Sequence, residues 1–246
     1  MHHVVLDRWS RGRSVLHSRD ARVKIVALAA FLVIVATTPM RSPAPGLAYA
    51  AVLLPAIFVA RLPVFSLLLR ASVVLPFSAA FAAMSVFGGD TGRAVELLQK
   101  SYLSASAALL LAGTTPMPEL LRGMEALGAP RFVLLVVQFL YRYLFVISEQ
   151  AQHMRLAAAS RGSLSRFGAR RRWSEAAAGA VAVLFARSYA RAEGVHRAML
   201  ARGYTGHLTL LSPARIGWAD GVFLFLAVLA PAAARLLVGD LNSWIH

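Results

Sequence analysis

The stretch "RFVLLVVQFLYRYLFVISEQAQHMRLAAASRG" (residues 131–162) decides the fold, because it can be assigned either to a membrane span or to a long helix outside the membrane. As one helix of roughly 30 residues, it would be about 45 Å long. Its first half is apolar, but Gln138 and Arg142 interrupt the apolar run. An arginine at mid-membrane depth costs about 2.5–3.5 kcal/mol. We therefore predict a long amphipathic helix at the membrane face, half buried against the spans.

A second stretch of the same kind, "WSEAAAGAVAVLFARSYARAEGVHRAMLARG" (residues 173–203), follows, and Arg187 and Arg191 argue against a span there too. Both stretches end in a small residue, an arginine and a glycine, and the two arginines are 41 positions apart. The six residues of these two triplets are Ser160, Arg161, Gly162, Ala201, Arg202 and Gly203.

Two interpretations of the triplets stay open at this point. Two ordinary helix ends would explain them, because glycine suits the left-handed position past a helix and arginine complements the negative end of the helix dipole. Alternatively, a guanidinium at a helix tip can enter a groove and pair with a carboxylate through two hydrogen bonds. Two such tips on one side of the membrane would form a two-point contact for a partner with two equivalent grooves.

The composition indicates a membrane protein. Of the 246 residues, 58% are hydrophobic and 15% are charged, whereas soluble domains have about 45–50% and about 25%. Pieces long and apolar enough to approach the roughly 20 residues of a span occur five times. These predicted spans are residues 23–39, 45–60, 71–89, 95–113 and 217–238.

The net charge of +15 is distributed as membrane topology requires, not as nucleic-acid binding would. With five spans and a cytoplasmic N-terminus, 22 of the 26 Lys and Arg residues are cytoplasmic. The predicted fold is thus an all-α integral membrane protein with about five transmembrane helices and long cytoplasmic helices inserted before the last span. We predict a leader and four-span bundle (1–113), a cytoplasmic region (114–215), and a last span with a tail (216–246).

Two long helices that end in such triplets and precede a final span resemble the transmembrane T component of energy-coupling factor (ECF) transporters. "MEALGAPRFVLLVVQF" (residues 124–139) resembles the short coupling helix of that family and its Leu-Gly-x-Pro step into the next helix. The leader is similar to that of the cobalt/nickel (CbiQ-like) branch in its residues Asp7, Arg8, Ser14–His17, Asp20, Arg22 and Lys24. Ser160 stands where the first triplet of the family usually has alanine.

The resemblance implies a non-catalytic subunit of an ATP-driven importer in the bacterial cytoplasmic (inner) membrane. The implied role of this importer is the uptake of cobalt or nickel. The triplets would contact a dimer of ABC-type ATPases, which hydrolyse the ATP. A separate membrane-embedded S component would bind the substrate and pack on the apolar faces of the two long helices. We predict this S-component interface at Phe132, Leu135, Phe139, Tyr143, Val183, Leu184 and Phe185.

Other functions fit the sequence less well. A conventional ABC importer permease needs a complete Glu-Ala-Ala-x-x-x-Gly loop, of which "EALGAP" (residues 125–130) has only part. A T component for vitamins would have the same coupling face and stays an alternative. An intramembrane lipid-processing enzyme would need clustered acidic or histidine residues. The chain has no cysteine and no phosphate-binding loop, and we predict no catalytic residue, cofactor, metal site or nucleic-acid partner.

Overall fold

The computed structural model describes residues 9–10, 12, 14–40, 42–161, 169–205 and 217–243, and these residues form helices and short connections without a strand. Most of the connections are only a few residues long. In chain order the helices are α1 (Ala21–Thr37), α2 (Pro43–Val59), α3 (Val64–Ala71), α4 (Leu75–Phe87), α5 (Thr91–Thr114), α6 (Met117–Ala126), α7 (Arg131–Ser160), α8 (Ala169–Ala201) and α9 (Trp218–Ser243).

Several helices are apolar enough for a bilayer, which confirms the all-α membrane fold class. Within the described part of the chain, Val64–Phe87, Arg131–Ser160 and Trp218–Leu236 are long and apolar enough to cross a membrane, and Ala44–Val59 is shorter. Each of the five predicted spans falls on a helix. α7 also meets the criteria of length and hydropathy. The number of spans and the side on which α7 lies therefore remain predictions.

The third predicted span begins earlier in the structure than the sequence suggested. α3 runs into a 3₁₀ turn (Ser72–Val74) and then into α4, so the helical segment starts at Val64 instead of residue 71. Pro76 lies in the first turn of α4. Because proline has no backbone N–H to donate, α-helical hydrogen bonding is interrupted before it, and the tighter turn fills the gap.

The chain divides by its internal contacts into two units. Residues 1–129 and 214–246 form the first unit, and residues 130–213 form the second. The first unit has a core between α1, α2, α5 and α9, in which the Tyr49 ring packs edge-on against Phe31 at 6.1 Å. The Tyr49 hydroxyl is hydrogen-bonded to Thr38 Oγ1 at 2.8 Å, so its polar end is satisfied inside this core. The division predicted from the sequence, with boundaries at 113/114 and 215/216, stays a prediction.

A buried ammonium group joins the leader to the end of α5. Lys24 is only 4% exposed, and its Nζ donates to the carbonyl oxygens of Thr114 at 3.0 Å and His17 at 3.3 Å, and to Thr115 Oγ1 at 3.3 Å. All three of its N–H donors are therefore used. A buried charge is tolerated when its donors are satisfied in this way.

The start of α9 is fastened to the same end of the first unit. The carboxylate of Asp220 accepts hydrogen bonds from the backbone N–H groups of Asp20 at 3.3 Å and Gly217 at 3.0 Å, and lies 3.8 Å from Arg19. Asp20 also caps α1 by accepting from the backbone of Arg22. The leader, the end of α5 and the start of α9 thus share one end, as the predicted topology requires.

The opposite end of the first unit carries Lys100 and Arg235, two of the four Lys and Arg residues that the predicted topology does not place in the cytoplasm. Lys100 Nζ donates to the Ala36 carbonyl at 2.7 Å, and Arg235 Nη1 donates to Thr37 Oγ1 at 2.9 Å. Both contacts are made at the C-terminal end of α1. Two basic side chains thus donate hydrogen bonds to a carbonyl oxygen and a hydroxyl oxygen at this helix end, where carbonyl groups lack partners within the helix.

Candidate coupling surface

The end of α8 is a well-defined helix cap that presents Arg202. Gly203 has a φ of 80°, its backbone N–H donates to Leu200 at 3.0 Å, and the N–H of Tyr204 donates to Met199 at 3.0 Å. This pair of bonds is the Schellman arrangement, which needs a left-handed residue at the glycine position. The prediction that Gly203 occupies that position is confirmed.

The end of α7 is described up to Arg161, and Gly162 lies outside the described residues. The backbone N–H of Arg161 still donates to Ala157 at 3.3 Å, so the arginine closes the last helical turn. The hydroxyl of Ser160 donates to the same carbonyl at 2.9 Å. The serine that stands in place of alanine therefore uses its hydroxyl donor within its own helix.

Both arginines of the triplets are available for contacts with a partner. Arg161 and Arg202 are exposed, as are Ser160, Ala201 and Gly203. Neither guanidinium makes a hydrogen bond or an ion pair with another of the described residues. Each is a charged fork at a helix end flanked by small residues, which is the geometry that pairs with a carboxylate through two hydrogen bonds.

α7 and α8 pack on each other along an apolar groove of about 470 Å³. Half-buried side chains of α7 line one wall, and α8 supplies Val195 and Met199. Tyr204, the residue after the cap glycine, closes the groove beside Met199. The apolar contact that usually accompanies a Schellman cap is thus part of the packing between the two helices.

Beside this groove lies a pocket of about 380 Å³ that Arg202 lines together with Gln138 and Arg142 from the middle of α7. Gln138 and Arg142 share a helix face because they are four residues apart. Residues 142 to 161 span about 28 Å along α7 at 1.5 Å per residue. The two arginine tips are therefore well separated and cannot bind the same acidic group.

The predicted S-component residues do not share one face. Leu135, Phe139 and Tyr143 are half-buried and line the groove between α7 and α8. The other α7 residue, Phe132, is exposed, as are two of the three residues predicted on α8. Side-chain exposures are 77% for Phe132, 44% for Val183 and 72% for Phe185, and Leu184 is half-buried.

Further apolar side chains on the two helices are exposed that the sequence did not single out. Leu140 is 63% exposed and Leu144 is 50% exposed on α7, and Val181 is 65% exposed on α8. Only Leu134 is buried on α7. An apolar area of this extent is typical of a protein interface or of contact with lipid.

The leader histidine is engaged within the protein. His17 Nε2 lies 3.0 Å from the carbonyl oxygen of Trp9, which can only accept, and its Nδ1 lies 2.7 Å from Ser14 Oγ. Trp9 also lies under the Arg70 guanidinium at 4.7 Å. In the described part of the chain, no group of three or more metal-ligating side chains is found. Asp7 and Arg8 of the predicted leader lie outside the described residues.

Comparison with known proteins identifies the family. The family model described as CbiQ, cobalt transport protein, matches residues 12–211. This chain belongs to that family. The cobalt transport protein CbiQ of Rhodobacter capsulatus is 30% identical over 192 residues, which cover 69% of this chain and 78% of that protein.

Two other relatives extend over almost the whole chain. The energy-coupling factor transporter transmembrane protein EcfT of Bacillus selenitireducens is 25% identical over 94% of this chain and 95% of its own length. An uncharacterized protein of Methanocaldococcus jannaschii is 24% identical over 93% of this chain and 85% of that protein. The resemblance to the T component of ECF transporters is confirmed, and the chain is a membrane protein of a transport family.

Sequence reasoning missed the pocket that joins Arg202 to α7. In the sequence Gln138 and Arg142 argue against a membrane span, and as two polar residues at i, i+4 in an apolar run they also indicate a polar stripe. Gln138 and Arg142 are about 60 positions from Arg202, so the sequence does not show that the three residues line one pocket. Only the packing of α7 on α8 brings these residues to one pocket.

Proposed function

We propose that this chain is the coupling subunit of an ECF-type importer, which transmits the motion of two ABC-type ATPases to a substrate-binding S component. The observation that carries the proposal is the pair of exposed arginine tips on α7 and α8 in a protein of the CbiQ family. Arg202 shares a pocket with Arg142, which lies about 28 Å from Arg161 along α7 by the 1.5 Å rise per residue. An ATPase dimer offers two equivalent grooves, so two separated tips fit it better than one. ATP hydrolysis belongs to the ATPases, and this chain is not catalytic.

Each tip would insert its guanidinium into an ATPase groove and pair with a carboxylate there. Removing one partner of such a pair costs about 2–5 kcal/mol, since the remaining charge stays buried without its counterion. At 1.4 kcal/mol for each tenfold change, an affinity loss of about 30-fold or more is expected for Arg161→Ala or Arg202→Ala. Arg→Lys should restore only part of the affinity, because lysine lacks the planar fork.

The test measures the affinity of the purified ATPases for the full chain and the transport that the complex supports. Arg155→Ala on α7 and Arg187→Ala on α8 are matched controls, since both arginines are exposed on the same helices away from the tips. Both controls should bind like the wild type. If the double variant Arg161→Ala, Arg202→Ala assembles and transports normally, the triplets are helix caps and nothing more.

The S component, in this proposal, packs on the exposed apolar side chains of α7 and α8. Phe132, Leu144 and Phe185 represent this surface, whereas Leu135, Phe139 and Tyr143 also hold the two helices together. Apolar contacts depend little on direction, so a partner can tilt on them without breaking specific pairs.

Charged substitutions at exposed apolar positions that do not line the groove test this surface without disturbing the packing of α7 on α8. Leu144→Asp and Phe185→Asp should release the S component and leave the ATPases bound. Gln152→Asp, at an exposed polar position of α7, is the control. If the two aspartates release the ATPases instead, the two partners have been assigned to the wrong surfaces.

Cobalt or nickel is the cargo that we propose. Support comes from the family description and from the name of the Rhodobacter capsulatus relative. Metal analysis of the complex purified with its S component, after growth in trace cobalt and nickel, tests the proposal. A bound vitamin in place of a metal would support the alternative, in which only the S component differs.

A further inference from the structure

The arginine at the end of α8 has neighbours that set it apart as a binding site. Arg202 shares its pocket of about 380 Å³ with Gln138 and Arg142, and the remaining lining is Phe139, Tyr143, Val195, Ala198 and Met199. Two arginines and one glutamine thus line one space, and all three residues are exposed. Arg161, about 28 Å away along α7 by the helix rise, lies outside this group.

The pocket holds positive charge without a counterion. No carboxylate is among the residues that line it. Neither the Arg142 guanidinium nor the Arg202 guanidinium forms an ion pair or a hydrogen bond with another residue in the described ranges. Two like charges that face one space repel each other, and an oxyanion placed between them removes the repulsion and accepts hydrogen bonds from both forks.

Arg142 is held in place from its own helix. Its guanidinium carbon lies 5.9 Å from the centre of the Tyr143 ring, within the range of a cation–π contact. Tyr143 is in turn stacked on Phe139 at 6.3 Å. The guanidinium therefore rests on an aromatic wall while its N–H groups remain available to a ligand.

We infer that Gln138, Arg142 and Arg202 together form a receptor for an acidic side chain of the ATPase that docks at the end of α8. This inference rests on the proposed function, in which Arg202 meets that ATPase. The volume exceeds that of a carboxylate alone, and the apolar part of the wall suits the methylene groups of an Asp or Glu side chain. Because Arg202 is itself the docking tip, the anion that reaches it comes from the same partner.

The two coupling points are therefore unequal. The end of α8 binds through three side chains, and the end of α7 binds through Arg161. The contact at α8 should depend more steeply on salt, since more charges are paired there. Arg142 acts as a recognition residue of this contact, although it lies in the middle of α7, 60 positions before Arg202.

A double-mutant cycle tests the inference. The affinity of the purified ATPase dimer is measured for the full chain in nanodiscs with Arg142→Ala, Arg202→Ala, Arg161→Ala and their pairs. Arg142→Ala should weaken binding about tenfold, and it should add little to Arg202→Ala but act independently of Arg161→Ala. Arg142→Lys should recover part of the loss, and Arg187→Ala is the control.

The outcomes separate the inference from the proposed function. If Arg202→Ala leaves the affinity unchanged, the proposed docking of the tips fails. If Arg202→Ala weakens binding while Arg142→Ala and Arg142→Lys do not, only the receptor is wrong. Phosphate analysis of the purified chain covers one more case: if Arg142→Ala loses bound anionic phospholipid and keeps its ATPase affinity, the pocket binds a lipid headgroup and the inference is overturned.

Discussion

Two glycine-to-alanine substitutions on α8 should change stability in opposite directions. Gly203 sits past the helix end at a φ of 80°, whereas Gly194 lies inside the helix, and in both places a Cβ would have no atom within 4 Å. Steric clashes with other residues are thus absent at both positions, and only the backbone decides. An L-residue in the left-handed region costs about 1–2 kcal/mol, while alanine inside a helix gains about 0.5–1 kcal/mol over glycine.

Gly203→Ala should therefore fray the end of α8. The bonds from Gly203 to Leu200 and from Tyr204 to Met199 would open more often, and Arg202 would lose its fixed position. The cap must form again when the ATPase binds. A cost of about 1 kcal/mol for forming it corresponds to roughly a fivefold loss of ATPase affinity. Gly203→Asn should stay close to wild type, because asparagine tolerates the left-handed conformation. Gly194→Ala should leave the affinity unchanged and slow the exchange of helix amides.

Hydrogen exchange of the amides at 203 and 204 reports the cap directly, and the affinity for the ATPases reports its consequence. Faster exchange together with weaker binding in Gly203→Ala, reversed in Gly203→Asn, is the expected pattern. If Gly203→Ala exchanges and binds like the wild type, the Schellman cap does not position Arg202 and the reasoning is refuted. Faster exchange with unchanged binding would show that the ATPase does not need an ordered tip.

Three further predictions concern topology and packing. A cysteine introduced as Ser165→Cys, in a chain without native cysteine, should react with an impermeant reagent only from the cytoplasmic side; labelling from outside would contradict the five-span topology. Lys24→Met should lower the free energy of unfolding by about 2 kcal/mol, because buried acceptors lose their donor. An unchanged melting temperature in detergent would show that the hydrogen bonds of Lys24 do not stabilise the fold. Gly123→Val should lower the free energy of unfolding by about 1–3 kcal/mol by overpacking α6 on α1, since a Cβ added at Gly123 would lie only 3.0 Å from Ile25 Cδ1. A melting temperature at or above that of the wild type would show that the contact relaxes.

Local features of this protein could be predicted from the sequence because they depend on a few neighbouring residues. The prediction of one helix of roughly 30 residues within 131–162 agrees with α7 (Arg131–Ser160), and the Leu-Gly-x-Pro step coincides with the end of α6, where Gly128 has a φ of 97°. Glycine at a helix end and proline before the next helix act within one turn. The start of the third span was misplaced, since an apolar run shows no boundary where α3 continues into α4.

The faces of α7 could not be predicted, because apolar side chains surround most of this helix. Hydrophobic periodicity identifies a buried face only when the other faces are polar. Leu135, Phe139 and Tyr143 were therefore assigned to a partner, although the structure also uses them against α8. Phe132 could not be told apart from them in the sequence.

By itself, the sequence determined the all-α membrane fold, the family and the helix cap at Gly203, since hydropathy and cap residues act over short range. Only the tertiary structure decided which distant groups meet. Lys24 reaches the carbonyl of Thr114 across 90 positions, and Arg202 comes to lie beside Arg142. Such contacts depend on how helices cross, which is settled by the packing of whole helix surfaces and leaves no trace in residue spacing.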